Sequence, residues 1–170
     1  MPGHEAVRIY ESEDGWLLDG AAIFLYDGKP CRLEYLVECD PEWRTWFATI
    51  DGFRGDDVVA IEIEIDGDVW TLNGEEVDAV RGCVDIDLNF SPVTNLLPVK
   101  RLDLKVGEEK EVRAAWLRFP SFSLEPLEQS YKRIDNSLFN YRSSSGFETT
   151  IKVDSNGLAL EYGDIWVRET

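Results

Sequence analysis

The chain has 170 residues, of which 44% are hydrophobic, and its 34 acidic against 17 basic side chains give a formal net charge of −17. Domains average about 150 residues, so we expect a single domain over residues 1–170 with its own hydrophobic core. The acidic balance argues against nucleic acid and anionic bilayers as partners, because both are bound through cationic surfaces.

The sequence predicts an intracellular location. No basic segment followed by an apolar one opens the chain, and no apolar run is long enough to span a bilayer, so we expect neither a signal peptide nor membrane insertion. The cysteines Cys31, Cys39 and Cys83 are odd in number and lack CxxC spacing, which disfavours disulfides and a zinc site. We interpret them as small buried hydrophobes in a cytoplasmic protein.

Alternation of apolar with polar residues predicts β-strands along most of the chain. It is clearest at residues 58–73, where Asp66-Gly67 supplies the tight turn of a hairpin. The other predicted strands, in chain order, are Trp16–Tyr26, Arg32–Cys39, Thr45–Ile50, Val84–Leu88, Val112–Phe119, Phe122–Ile134, Leu138–Ser143, Phe147–Val153 and Leu158–Val167.

About ten short strands separated by turns indicate an all-β, mostly antiparallel protein. We expect one large sheet, strongly curved into a half-barrel, barrel or sandwich. Crossover helices are missing, which excludes a parallel βαβ architecture. Helical turns are expected at most at Thr94–Leu102 and Glu108–Val112.

The sequence offers little for catalysis. Its single histidine, His4, is expected in a mobile N-terminal tail, which removes the usual general base and argues against histidine-based metal chemistry. The serine-hydrolase, P-loop, dinucleotide and zincin motifs are all missing. We therefore expect a protein that is not an enzyme and carries no metal or cofactor.

Acidic residues leave one chemical alternative open. Asp85 and Asp87 share a strand face, as a cation site or an acid pair requires, but a solvated strand face is the commoner explanation and the one we expect. A glycosidase-like pair of carboxylates depends on distances in space, so the sequence does not exclude it. Asp40 and Glu125 are the candidates for such chemistry.

Polar and aromatic residues interleave on one predicted strand. Gln129, Tyr131 and Arg133 lie on the same face as Leu127, so an apolar face continues into groups that can hydrogen-bond a ligand. Tyr141 follows on the next strand. This pattern suits a ligand with apolar and hydroxylated parts. A sheet exterior with cross-strand pairs is the alternative.

Three segments together resemble the bacterial family of putative glycolipid-binding proteins. They are Ser91–Leu102, Tyr35–Thr45 and Ala114–Pro120, the last continuing to Gln129-Ser130-Tyr131. Gly15-Trp16 and Tyr162–Trp166 extend the likeness over nearly the whole chain. The resemblance implies a curved antiparallel sheet, shaped like a clam or half-barrel, around a groove or tunnel. Two positions depart from the family pattern: Trp46 and Lys100 each stand where an arginine is expected.

The resemblance implies non-catalytic binding of a glycolipid or similar acylated amphiphile, in an apolar groove with a polar mouth. The net charge favours a neutral or weakly charged head group. A carboxylate-dependent hydrolase of a sugar or ester, and an interaction domain without a small ligand, are the alternatives. Asn95 and Asp40 are also typical of structural turns. The candidate ligand-binding residues are Trp43, Thr45, Asn95, Arg101, Arg118, Gln129, Tyr131, Arg133 and Tyr141.

Overall fold

A computed structural model describes residues 2–169, and strands make up 60% of the chain against 8% in helices. The predicted all-β, largely antiparallel class is confirmed, and one of the two sheets is curled into a half-barrel. The chain divides into two compact units, one up to Gly82 and one from Cys83 onward. Each unit contains one seven-stranded sheet, so the prediction of one large sheet is wrong.

The first unit is a meander in which each strand pairs antiparallel with the next along the chain. A 3-10 helix at Asp78–Val80 follows its last strand. The strands are β1 (Gly3–Glu11), β2 (Trp16–Tyr26), β3 (Lys29–Cys39), β4 (Thr45–Arg54), β5 (Asp57–Asp66), β6 (Val69–Leu72) and β7 (Glu75–Glu76).

One face of the first sheet is buried, and side chains alternate between buried and more exposed along β2, β3 and β5. Along β3, Leu33, Tyr35 and Val37 are buried, whereas the residues between them are exposed or half-buried. Gly20 pairs with Tyr35 across β2 and β3, and the Tyr35 ring lies over the space that a side chain at Gly20 would fill. The missing side chain at position 20 is therefore what accommodates the ring.

The second unit contains the remaining strands and the only α-helix in residues 2–169. A 3-10 turn at Pro92–Asn95 leads directly into that helix, α1 (Leu96–Leu102). The strands are β8 (Asp85–Leu88), β9 (Glu109–Arg118), β10 (Ser123–Arg133), β11 (Leu138–Ser143), β12 (Glu148–Val153), β13 (Ala159–Tyr162) and β14 (Trp166–Val167).

The helical segment between β8 and β9 determines the topology of the second sheet. It carries the chain back across the sheet, so β8 pairs with β9 in parallel while the other strand pairs are antiparallel. The prediction that crossover helices are missing is therefore wrong at this one connection. Val99 and Leu102 of α1 pack against a core of buried residues from β10 to β13. This core includes Tyr131 and Tyr141, two of the predicted site residues.

Three predictions about local structure are wrong. His4 does not lie in a mobile tail but in β1, an edge strand paired with β2. Residues Glu108–Val112 form no helical turn, because β9 begins at Glu109. The segment Leu158–Val167 is not one strand but two, β13 and β14, since the chain reverses at Gly163.

Other predictions are confirmed. The hairpin over residues 58–73 is formed by β5 and β6, and the helical turn at Thr94–Leu102 corresponds to the end of the 3-10 turn and α1. Cys31, Cys39 and Cys83 are buried free thiols. Within residues 2–169, no helix has the length and apolar character needed to cross a membrane.

Candidate functional site

Five of the nine predicted site residues form one cluster in the second unit, on elements that bring polar groups to the face covered by α1. Gln129 and Tyr131 alternate on β10, and Tyr131 pairs directly with Tyr141 on β11. Asn95 ends the 3-10 turn, and Arg101 lies on α1. The predicted common face of Gln129 and Tyr131 is therefore confirmed.

Gln129 lies at the centre of this arrangement and is almost fully buried, with 3% of its surface exposed. Its Nε2 donates one hydrogen bond of 2.6 Å to Oδ2 of Asp87 and a second of 2.9 Å to the hydroxyl of Tyr141. Both amide protons are thus used, which fixes the side chain in a single orientation.

A second set of hydrogen bonds joins Tyr131 to the turn before α1. The Tyr131 hydroxyl donates to Oδ1 of Asn95 at 2.8 Å, and Nδ2 of Asn95 donates to the carbonyl of Pro92, also at 2.8 Å. Tyr162 lies against both Asn95 and Tyr141. These bonds confirm that Asn95 holds a turn, and they extend the polar cluster to β13.

Asp87 is a half-buried carboxylate that the protein leaves without a positive charge. Gln129 is its hydrogen-bond donor, and within residues 2–169 no lysine or arginine forms an ion pair with it. Burial raises the pKa of Asp87 to about 6, and the hydrogen bond from Gln129 opposes this only in part. A titratable group perturbed in this way is typical of binding and catalytic sites.

Asp85 differs from Asp87 although both lie on the same face of β8. Asp85 is 1% exposed, and Arg101 holds it with both arms of the guanidinium, Nε donating to Oδ1 at 3.1 Å and the second nitrogen donating to Oδ2. Burial raises the pKa of Asp85, and Arg101 opposes that effect. The expected solvated face is therefore wrong for Asp85, since Arg101 and its helix cover it.

The other four predicted residues lie outside this cluster. Arg118 is exposed on β9 and forms an ion pair with Glu125 at 3.3 Å. Arg133 is used by the fold, since its guanidinium donates to the backbone carbonyls of Leu104, Asp135 and Asn136. Trp43 and Thr45 belong to the first unit.

In the first unit, Trp43 has a left-handed backbone with a φ of 67° and stacks on Trp16, with ring centroids 4.6 Å apart. Thr45 is buried at the start of β4. Asp40, a candidate acid, accepts backbone hydrogen bonds from Glu42 and Arg44 and thereby closes the turn. These contacts hold Trp43 and Asp40 in the fold of the first unit.

The first unit also has an open trough of about 510 Å³ on its more exposed sheet face. Small residues such as Ala6 and Ala21, which pair across β1 and β2, form its floor. Arg8 and Asp19 form an ion pair 2.6 Å long beside them. The sequence analysis did not identify this trough, because its residues come from four strands and carry no common pattern.

Two residues of the polar cluster were not among the predicted site residues. Asp87 was noticed but interpreted as solvated, and Tyr162 was noted only as part of a segment that resembles the family. The sequence signal for both is the alternation of side chains along their strands, which places them on the same sheet face as Gln129 and Tyr131. No group of three or more His, Cys, Asp or Glu side chains in the described chain is arranged to hold a metal ion.

Comparison with known proteins agrees with the resemblance drawn from the sequence. The crystal structure of a DUF1089 family protein from Pseudomonas aeruginosa superimposes with a TM-score of 0.84 at 28% identity, covering 99% of this chain and 94% of that one. No curated protein matches the sequence significantly. Residues 1–168 match the family described as "Putative glycolipid-binding". The chain therefore belongs to the family of putative glycolipid-binding proteins.

Proposed function

We propose that this protein binds an amphiphilic ligand, a glycolipid or a similar acylated molecule, and does not change it chemically. The family description supports the ligand class. The observation that carries the proposal is the half-buried carboxylate of Asp87, which is fixed by Gln129 and has no cationic partner in residues 2–169. The sugar head group would bind there.

Asp87 retains hydrogen-bonding capacity. A carboxylate has about four acceptor positions, and Gln129 occupies one of them. Sugar hydroxyls are donors that suit the remaining positions. Tyr162 and the partly exposed Phe147 have ring centroids 5.8 Å apart, and such rings offer an apolar surface for the non-polar face of a sugar.

The acyl part of the ligand needs exposed apolar surface near the head group. Phe147 is 38% exposed and lies beside Tyr141 and Tyr162, and the half-buried Trp166 pairs with Tyr162 across β13 and β14. Burial of a methylene contributes about 0.8 kcal/mol, so a chain of about ten carbons would contribute about 8 kcal/mol before association costs. Together with hydrogen bonds to the head group, this gain would offset the cost of association without any covalent chemistry.

The carboxylates favour binding over hydrolysis. Glycoside hydrolysis uses two carboxyl groups, an acid and a base or nucleophile, that both reach the scissile bond. Asp85, the carboxyl nearest to Asp87 along the strand, is buried and engaged by Arg101. Glu125, another candidate acid, is engaged by Ser123 and Arg118. Neither Asp85 nor Glu125 is therefore available as a second catalytic carboxylate beside Asp87.

The test is native mass spectrometry and calorimetric titration with octyl glucoside below its micelle concentration. We expect a complex with the mass of the intact glycoside and an affinity at least tenfold weaker for Asp87→Ala. Asp56→Asn, which changes an exposed acid of the first unit, is the matched control and should bind like the wild type. The proposal would be overturned if octyl glucoside does not bind or if free octanol is released from it. Unchanged affinity in Asp87→Ala would also overturn it.

A further inference from the structure

The polar cluster also indicates which head group it selects. Building on the proposed function, we infer that the preferred head group carries a protonated amine, as in an amino sugar, and that this ammonium group pairs with Asp87. The argument rests on the charges and acceptors that the fold gathers around this carboxylate.

The groups facing Asp87 leave its negative charge uncompensated. Gln129 and Tyr131 approach from β10, Tyr141 from β11 and Tyr162 from β13, and all four are neutral near pH 7. The neighbouring cation, Arg101, is bidentate on Asp85. A partly buried carboxylate without a cation costs free energy, and a positively charged ligand group would recover it.

The hydrogen-bonding groups also suit an ammonium. An ammonium has three donors and no acceptor, whereas a hydroxyl has one donor. Asp87 supplies carboxylate oxygens, and the hydroxyl oxygens of Tyr141 and Tyr162 belong to the same cluster. An anionic head group is disfavoured here, because it would approach Asp87 in a chain with a net charge of −17.

The pairing predicts a bell-shaped dependence of affinity on pH. Burial raises the pKa values of Tyr131, Tyr141 and Tyr162 above that of an ordinary tyrosine, so these side chains stay neutral. Asp87, with a pKa of about 6, ionises near that pH. Affinity for an amine should increase as Asp87 loses its proton and decrease again as the ligand amine loses its own. A neutral glycoside lacks the second of these changes.

The experiment compares three octyl glycosides that differ only at one position of the sugar: octyl glucoside, its 2-amino-2-deoxy analogue and the N-acetylated form of that analogue. Titration calorimetry at about pH 7 should give at least tenfold tighter binding of the amine than of the other two. The preference should disappear below about pH 5 and in Asp87→Asn, whereas the exposed-site control Asp56→Asn should retain it.

The outcomes separate this inference from the proposed function. If none of the three glycosides binds, the proposed function itself fails. If they bind with equal affinity, or if Asp87→Asn retains the preference for the amine, the protein binds glycosides but the inferred ammonium pairing is wrong. Folding of Asp87→Asn is verified by its urea transition, so a lost preference is not the result of an unfolded variant.

Discussion

The Nε2 of Gln129 lies 2.6 Å from Oδ2 of Asp87, and this neutral amide is the donor that the described chain supplies to a half-buried carboxylate. A guanidinium at the same distance would have stabilised the ionised form much more strongly. Nearby, Arg101 does this for Asp85. Two acids on the same face of one strand therefore have opposite surroundings, and only Asp87 retains capacity for a ligand.

The first prediction is that Asp87→Asn stabilises the protein at neutral pH. The pKa of Asp87 is about 6 in the folded chain and about 3.9 when unfolded, so the folded state holds a proton that the unfolded state has released between these values. Stability therefore falls as pH rises through that window, and the full cost, up to about 3 kcal/mol, is present above it. The Asn variant lacks this cost.

Urea denaturation of both proteins at about pH 4 and about pH 7.5 measures the effect. The first value lies at the lower end of the window between the two pKa values, and the second lies above its upper end. The two proteins should have similar stability at the lower pH, and the variant should be more stable at the higher pH. Asp56→Asn, an exposed control, should show no such change. An Asp87→Asn variant that is less stable than wild type at the higher pH would show that Asp87 has a stabilising partner.

The second prediction concerns the buried pair of Asp85 and Arg101. Arg101→Met leaves Asp85 buried without its cation, which typically costs about 3–5 kcal/mol. Asp85→Leu combined with Arg101→Met removes both charges and should recover most of that loss. A double-mutant cycle by urea denaturation measures the coupling.

Arg142→Met is the matched control for this cycle, because Arg142 forms an exposed pair with Glu109 in the same unit. Exposed pairs contribute at most about 1 kcal/mol, so this variant should remain close to wild type. Equal effects of the two single arginine variants would mean that Arg101 contributes no more than a surface residue.

The fold was predictable because the sheets are buried on one face. Strands such as β3 alternate between buried and exposed side chains, and that alternation is visible in the sequence. The edge strand β1 was missed because it contains no fully buried residue: Val7 and Ile9 are half-buried, and Ala6 and Tyr10 are exposed. Its alternation is therefore weak, and the acidic and histidine side chains around it suggested a tail instead.

The site was predictable only within single strands. Gln129 and Tyr131 could be recognised because residues two apart on a strand share a face. The burial of Asp85 could not, since it depends on Arg101, which is 16 residues away on a helix that returns over the sheet. The lack of a cationic partner at Asp87 depends on the same helix, because Arg101 pairs with Asp85 and not with Asp87.

The third prediction is that Gly20→Ala destabilises the first unit. A side chain at position 20 would place its Cβ 2.4 Å from the ring of Tyr35, so the buried ring must move. Overpacking of this kind typically costs about 1–3 kcal/mol. Thermal or urea unfolding measures the loss.

Combining Gly20→Ala with Tyr35→Leu tests the cause. Leucine does not extend as far as the tyrosine ring, so the cost of Gly20→Ala in the Tyr35→Leu background should fall below about 1 kcal/mol. If the alanine is equally costly in both backgrounds, the destabilisation comes from the strand backbone rather than from the ring.

The fourth prediction concerns the end of α1, where Asp103 has a left-handed backbone with φ 42° and ψ 49°. A residue with a Cβ pays a steric cost there, and an acid at a helix C-terminus is also unfavourable for the helix dipole. Asp103→Gly relieves both effects, and Asp103→Asn relieves the second while tolerating the left-handed conformation. Each should raise the free energy of unfolding by about 0.5–1 kcal/mol, since Asp103 is exposed and loses no packing.

Asp103→Val is the opposing variant at the same position. A β-branched side chain is poorly tolerated at positive φ, so valine should lower the free energy of unfolding by about 1 kcal/mol or more relative to aspartate. The expected order of stability in urea is therefore glycine and asparagine above aspartate, with valine last. Valine as stable as glycine would mean that the helix ends in a different backbone conformation from the left-handed one at Asp103.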